Sequence, residues 1–139
     1  MQYIERFLKK VVTASPDATL AEVARSMERH NVGSVVVTDN HRPVGIVTDR
    51  DVALELGARD GSLDMMVVRI MTTPVETIPH NEGVFAATQS MLEHKVRRLA
   101  VVDDEGLLVG IVTFDDLLRL LSRELSNLSE GIAPEMKVR

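Results

Sequence analysis

Gly45-Ile46-Val47-Thr48-Asp49-Arg50-Asp51-Val52 returns as Gly110-Ile111-Val112-Thr113-Phe114-Asp115-Asp116-Leu117. No other feature constrains the fold as much. Each copy reads as a buried strand that stops at a Thr, followed by a helix whose first turn carries an Asp three residues on. The repetition reaches beyond the phrase. A shift of 64 places Thr13 on Thr77, Met27 on Met91, His30 on His94, Val32 on Val96 and Asp39 on Asp103. One extra residue in the second hairpin turn changes the shift to 65, and Gly45, Thr48 and Asp51 then fall on Gly110, Thr113 and Asp116. An insertion confined to a turn is what a duplicated unit tolerates.

Within each copy the spacing predicts strand, helix, strand, strand, helix. Val11-Val12-Thr13 is a short strand, broken by Ser15-Pro16-Asp17. Thr19 and Glu22 form a capping-box pattern, and Leu20, Val23, Ala24 and Met27 follow along one helical face that ends near His30-Asn31. Ser34 to Thr38 and Val44 to Val47 form a hairpin across a polar turn, and a helix from Thr48 carries Val52, Ala53 and Leu56 to a stop at Gly57. Residues 57–64 read as a polar link. The second copy runs through Val75 to Ile78, a helix with Val84, Ala87 and Met91, a hairpin of Leu99 to Val102 and Val109 to Val112, and a Leu-rich helix over 114–125. The tail after Leu128 is expected to fray, and Ile4, Phe7 and Leu8 suggest a short lead-in helix.

A three-stranded sheet with two helices cannot bury both of its faces. Two such units packed sheet to sheet can, and the pairing leaves two related crevices between them. The fold expected is therefore α/β (α+β), two tandem βαββα units with pseudo-two-fold symmetry. Motif 1 spans 8–60 and motif 2 spans 68–125, with terminal arms at 1–7 and 126–139.

Composition narrows the chemistry. The chain has 139 residues and no Cys, which removes disulfides, thiolate metal sites and a Cys nucleophile, and fits a cytoplasmic setting. Its net charge of −5 argues against a general nucleic-acid surface. No apolar run approaches the ~18 residues of a membrane span, and the N-terminus has no signal pattern. No nucleophile with its base, no metal cage and no Gly-rich phosphate loop can be assembled, so an enzyme is not expected.

The duplicated unit resembles a tandem pair of CBS domains, a Bateman module, over roughly residues 8–125. The resemblance rests on Asp17-Ala18-Thr19-Leu20 opening a helix that carries Met27, on the hairpin, and on Gly-Ile-Val-Thr-x-x-Asp in both copies. It implies a regulatory module binding adenosine-containing ligands: AMP, ADP or ATP, with S-adenosylmethionine or NAD also in range, and no catalytic cofactor. It implies Asp51 and Asp116 as ribose carboxylates, with Thr48 and Thr113 facing sugar or phosphate. By the family's crossed geometry Asp51 shares a site with Val96, Arg97 and Arg98, and Asp116 with Val32, Gly33 and Ser34. Val12 and Thr13, or Glu76 and Thr77, edge the adenine. On this view the Asp51 cleft holds two guanidinium groups and the Asp116 cleft none, so phosphate is expected at Asp51. The resemblance further implies a homodimer, with helix 114–125 and the Val52–Leu56 helix as its surface, and an effector enzyme or transporter as the partner. Two other readings stand beside it: a scaffold with vestigial pockets, and a Mg²⁺-dependent nucleotide hydrolase using the turn acids. The Thr-x-x-Asp pairs have a plainer reading too, as local helix caps.

Overall fold

The computed structural model describes Ile4 and residues 11–138, with side chains to Gly131. The lead-in helix expected around Phe7 and Leu8 lies outside the described residues. The element order is β1 (Thr13–Ala14), α1 (Leu20–His30), β2 (Ser34–Asp39), β3 (Arg42–Thr48), α2 (Asp49–Ala58), a 3₁₀ turn (Val67–Arg69), β4 (Thr77–Pro79), α3 (Val84–His94), β5 (Arg98–Val102), β6 (Leu108–Thr113) and α4 (Phe114–Val138). The two halves repeat the same βαββα order, as expected.

Each half makes its own three-stranded sheet, in order β1-β2-β3 and β4-β5-β6. The pairings repeat in register. Thr13 pairs with Val36 and Thr77 with Ala100, both parallel. Val37 opposes Gly45 and Val101 opposes Gly110, both antiparallel. The duplication read from the sequence is thus kept at the level of individual strand partners.

Alternation along the strands explains how both sheet faces are buried. Val35, Val37 and Val47 turn toward α1 and α2, where they join Leu20, Val23, Met27 and Val52 in one core. Leu99, Val101 and Val112 do the same with Ala87, Met91 and Leu117 in the other. Val36, Ala100 and Ile111 lie between those positions and so point the opposite way, yet all three are buried. The facing sheet covers them. At the hairpin ends the halves are joined directly, the Leu108 amide donating to the His41 carbonyl at 2.8 Å.

Three features depart from the sequence reading. First, the chain that follows the polar link packs along the first motif. Leu20 N–H donates to Met65 O, Val67 N–H to Ala18 O, and Thr72 and Ile46 exchange a bridge that adds Thr72 to the edge of β3. Val67 is fully buried in the first core. Second, Ile4 is buried in the core of the second half, its N–H on Glu82 O at 2.9 Å. Third, the tail expected to fray after Leu128 is helical, because α4 runs on to Val138 and neither Gly131 nor Pro134 ends it. Its leucine spacing continues past 125 without a break, which keeps one apolar stripe along the helix.

Gly45 follows from the packed link. A Cβ there would stand 2.7 Å from Met71 Cγ and 3.1 Å from Thr72 O. Gly45→Ala is expected to destabilise the fold by about 1–3 kcal/mol through overpacking, as read by urea denaturation. The second hairpin gives a pH prediction. Asp103 Oδ1 accepts from the Leu107 and Glu105 amides, both at 2.9 Å. These bonds, Leu107's foremost, hold the carboxyl below its ordinary value. Its contribution is complete above the unfolded value of about 3.9 and is lost as pH falls through the lower folded value. Asp103→Asn should therefore show a shallower loss of stability below about pH 4 than the wild type.

Candidate functional site

The two Thr-x-x-Asp turns share the same cap bond. In the first, Thr48 caps α2. Its hydroxyl accepts from Asp51 N–H at 3.1 Å, and the Asp51 carboxylate accepts from Thr48 N–H at 2.9 Å. That is a complete capping box, the plain reading of the motif. In the second, Thr113 Oγ1 again accepts from Asp116 N–H at 3.1 Å, but the Thr113 hydroxyl donates to Asp116 Oδ2 at 2.7 Å. Asp116 Oδ1 in turn receives Arg119 at 3.1 Å, and the carboxylate is only 11% exposed. A carboxylate on α4 is thus held between a hydroxyl and a guanidinium.

A cavity of about 250 Å³ opens beside this second turn. Its walls come from both halves. The first half supplies Val11, Val12, Asn31, Val32, Gly33 and Ser34, and the second supplies Arg97, Arg98, Ile111, Thr113, Asp115 and Arg119. Asp116 stands behind the lining, bonded to two of its members. Local structure explains the assembly. Asn31 takes a left-handed conformation that ends α1, and the chain turns into β2 through Val32 and Gly33. Arg98 opens β5 directly opposite Thr113, the last residue of β6. Ile111 lies two residues before Thr113 and shares its strand face.

In this cavity the cations sit beside Gly33 and Ser34. Arg97 and Arg98 were expected at the Asp51 cleft, leaving the Gly33–Ser34 cleft neutral. Instead both line the cavity that contains Gly33, Ser34 and Thr113. Arg98 pairs with Thr113, and the Phe114 amide donates to Arg97 O at 2.7 Å, so this junction is tied to its own half's helix turn. Arg119 adds a third guanidinium that the sequence reading missed. Its signal was present in the i+3 spacing from Asp116 on a helix.

The three cations are not equivalent. Arg97 stacks over the Phe114 ring at 5.1 Å and reaches Asp115 at 3.4 Å. That ion pair is exposed and adds little stability. Arg119 holds Asp116. Arg98 is half-buried, and its guanidinium makes no hydrogen bond or ion pair among the described residues. Of the other residues named from sequence, Thr13 and Thr77 are exposed on their strands. Glu76 meets His94 at 3.5 Å, and Val96 lines an outer groove with Leu92 and Phe114. Thr48 and Asp51 stay in their capping box.

Comparison with known proteins identifies the family. The CBS domain model matches twice, over residues 4–58 and 67–123. The chain belongs to the CBS domain family. This CBS pair is 37% identical over 124 residues to the CBS domain-containing protein YhcV of Bacillus subtilis, covering 89% of this chain and 86% of that one. It is 39% identical over 114 residues to an uncharacterized protein of Methanopyrus kandleri, covering 81% of this chain and 58% of that relative's length. Among solved structures, a CBS domain protein from Pyrobaculum aerophilum complexed with AMP superposes with a TM-score of 0.78 at 30% identity, over 91% of this chain and 99% of the other. The CBS domain pair of protein MJ0100, in complex with 5′-methylthioadenosine and S-adenosyl-L-methionine, also gives 0.78, at 28% identity, over 89% and 98%. No helix among the described residues is long and apolar enough to cross a membrane.

The wiring of the first turn makes a simple prediction. Thr48→Ala removes the cap on α2 and should cost about 1 kcal/mol, seen as a lower midpoint in chemical denaturation.

Proposed function

We propose that this CBS pair is a regulatory sensor that binds an adenosine-containing ligand in the cavity beside Thr113, and that occupancy is read by a partner enzyme or transporter rather than converted into a reaction. AMP, ADP and ATP lead, with S-adenosylmethionine and NAD as alternatives. The observation that carries the reading is Arg98. A half-buried guanidinium with no partner among the described residues, facing a cavity between two motifs, is a site ready for an anion. The Asp116 carboxylate lies behind the wall and holds Thr113 and Arg119, two of the groups that face the ligand. Val12 and Ile111 offer apolar surface for the base. Relatives whose solved structures hold AMP or S-adenosyl-L-methionine support the ligand class. The absence of Cys supports a cytoplasmic setting.

Thr48 and Asp51 take the other role. Their reciprocal bonds favour a structural cap there, and the ligand is assigned to the cavity beside Thr113, whose hydroxyl also caps its own helix.

The test is ligand binding by thermal shift and calorimetry. AMP at ~100 times its dissociation constant should stabilise the protein by about 2.7 kcal/mol. Arg98→Ala should weaken AMP by about 10- to 100-fold, since a charge-assisted bond contributes about 1.5–3 kcal/mol, while leaving binding of adenosine nearly unchanged. Asp116→Asn should weaken both. If none of the five ligands shifts the melting curve, the sensor reading fails. If Asp51→Ala abolishes binding while Arg98→Ala does not, the site lies at the first turn instead.

A further inference from the structure

Three guanidinium groups line one cavity, and they come to it from different sides. Arg97 holds Asp115 through one nitrogen at 3.4 Å, and Arg119 holds Asp116 through one nitrogen at 3.1 Å. Asp115 and Asp116 are consecutive on α4, so they are turned from each other by about 100° around the helix. The two guanidiniums that hold them are parted accordingly. Arg98 comes from β5, opposite Thr113, and spends no nitrogen on any described residue. A guanidinium carries several N–H donors in a rigid fork, so each of the three keeps donors for a ligand.

The carboxylates beside them are already engaged. Asp116 Oδ2 accepts from the Thr113 hydroxyl and Oδ1 from Arg119, and Asp115 Oδ1 accepts from Arg97. Counting Asp116 behind the wall, three cations stand against two anions. The cavity is therefore positive on a chain whose net charge is −5. The ligand it favours is anionic, against the trend of the surface around it. Neither outer cation is locked in place. The Arg97 and Arg119 side chains are 70% and 68% exposed, and exposed ion pairs contribute little, so a phosphate draws these groups inward at small cost.

We propose that this cavity selects its ligand by the length of the phosphate chain, taking a nucleoside triphosphate without a metal ion ahead of AMP and rejecting S-adenosylmethionine. The selection rests on the adenosine site proposed above. A single phosphate presents its oxygens at one point and meets only the forks that reach that point. A chain of three extends across the cavity and meets guanidiniums on more than one side. AMP brings about two negative charges at neutral pH, and each added phosphate about one more. A magnesium ion on the chain works the other way. It offsets part of that charge, occupies the same oxygens, and sets its own charge against Arg97, Arg98 and Arg119. The engaged carboxylates have little to offer it in return. S-adenosylmethionine has no phosphate and carries a positive sulfonium, so it meets repulsion. Arg98 is then the anchor common to all phosphate-bearing ligands, and Arg97 and Arg119 are the residues that set specificity.

Calorimetric titration in EDTA should rank ATP above ADP above AMP, with S-adenosylmethionine weakest. ATP should bind at least about tenfold more tightly than AMP, the factor for one added charge-assisted bond. Excess Mg²⁺ at constant ionic strength should weaken ATP and leave AMP nearly unchanged. Arg97→Gln with Arg119→Gln keeps an amide donor for each Asp and should bring the affinities of ATP and AMP together. Adenosine, which is uncharged, checks in the same variant that the cavity is still formed. The wild-type ranking and the Mg²⁺ comparison hold their meaning whatever the variant's fold. AMP binding as tightly as free ATP, Mg²⁺-loaded ATP binding as tightly as the free form, or S-adenosylmethionine binding ahead of AMP overturns the proposal and leaves the adenosine site standing. A double variant that binds adenosine and keeps the wild-type preference for ATP removes Arg97 and Arg119 from that role and overturns it too. If no adenine compound binds the wild type, the sensor reading fails and the selection with it.

Discussion

One backbone bond, made twice, sets the geometry on which the rest depends. Asp49 N–H returns to Gly33 O at 3.0 Å, and Phe114 N–H returns to Arg97 O at 2.7 Å. Each closes a hairpin at the point where its strand becomes a helix. The bond fixes the first turn of the helix beside the start of the preceding strand, and therefore fixes which side chains share a corner. Gly33 and Asp49 meet at one corner, Arg97 and Phe114 at the other. The backbone is repeated while the side chains exchange a small, acidic corner for a cationic, aromatic one.

That exchange is how a symmetric scaffold acquires unequal faces. The departures from symmetry elsewhere have the same character. The link between motifs is absorbed into the first core through Val67, while Ile4 is absorbed into the second. Each half is thus completed by a segment outside its own βαββα frame. The hairpin ends are joined by a bond between His41 and Leu108, and the cavity walls alternate between the halves. Neither motif closes a site by itself.

Much of this was legible in the residues. Valine runs bounded by Gly and polar turns located β2 and β5, and the i, i+3, i+4, i+7 stripe located α1 and α3. Thr19 caps α1 as its spacing from Glu22 suggested, with Glu22 N–H on its hydroxyl at 3.2 Å. What escaped was set by distance in three dimensions. Nothing in the polar look of residues 57–64 shows that the chain after them, from Met65 to Thr72, would lie along the first motif and demand Gly45. Arg97 and Arg98 were recognisable as cations, but a long side chain can serve either side of its junction, and the side is set by how the two halves pack. Arg119 was hidden because a helix-surface Arg looks the same whether it faces water or a cleft. The length of α4 was misread because Gly131 and Pro134 are ordinary stop signals, and here they do not stop it.

Helix α4 has one more property, a mechanical one. Thr113, Asp115 and Arg119 at its root line the cavity, and its 25 residues form a rod about 37 Å long. A displacement at the root would act on the short arm of a lever whose long arm, from 121 to 131, is exposed. A tilt of about 5° at the root carries the far end through about 3 Å, more than half a helical turn's rise. A displacement too small to disturb the packed sheets is thereby enlarged to the scale on which one protein surface distinguishes another.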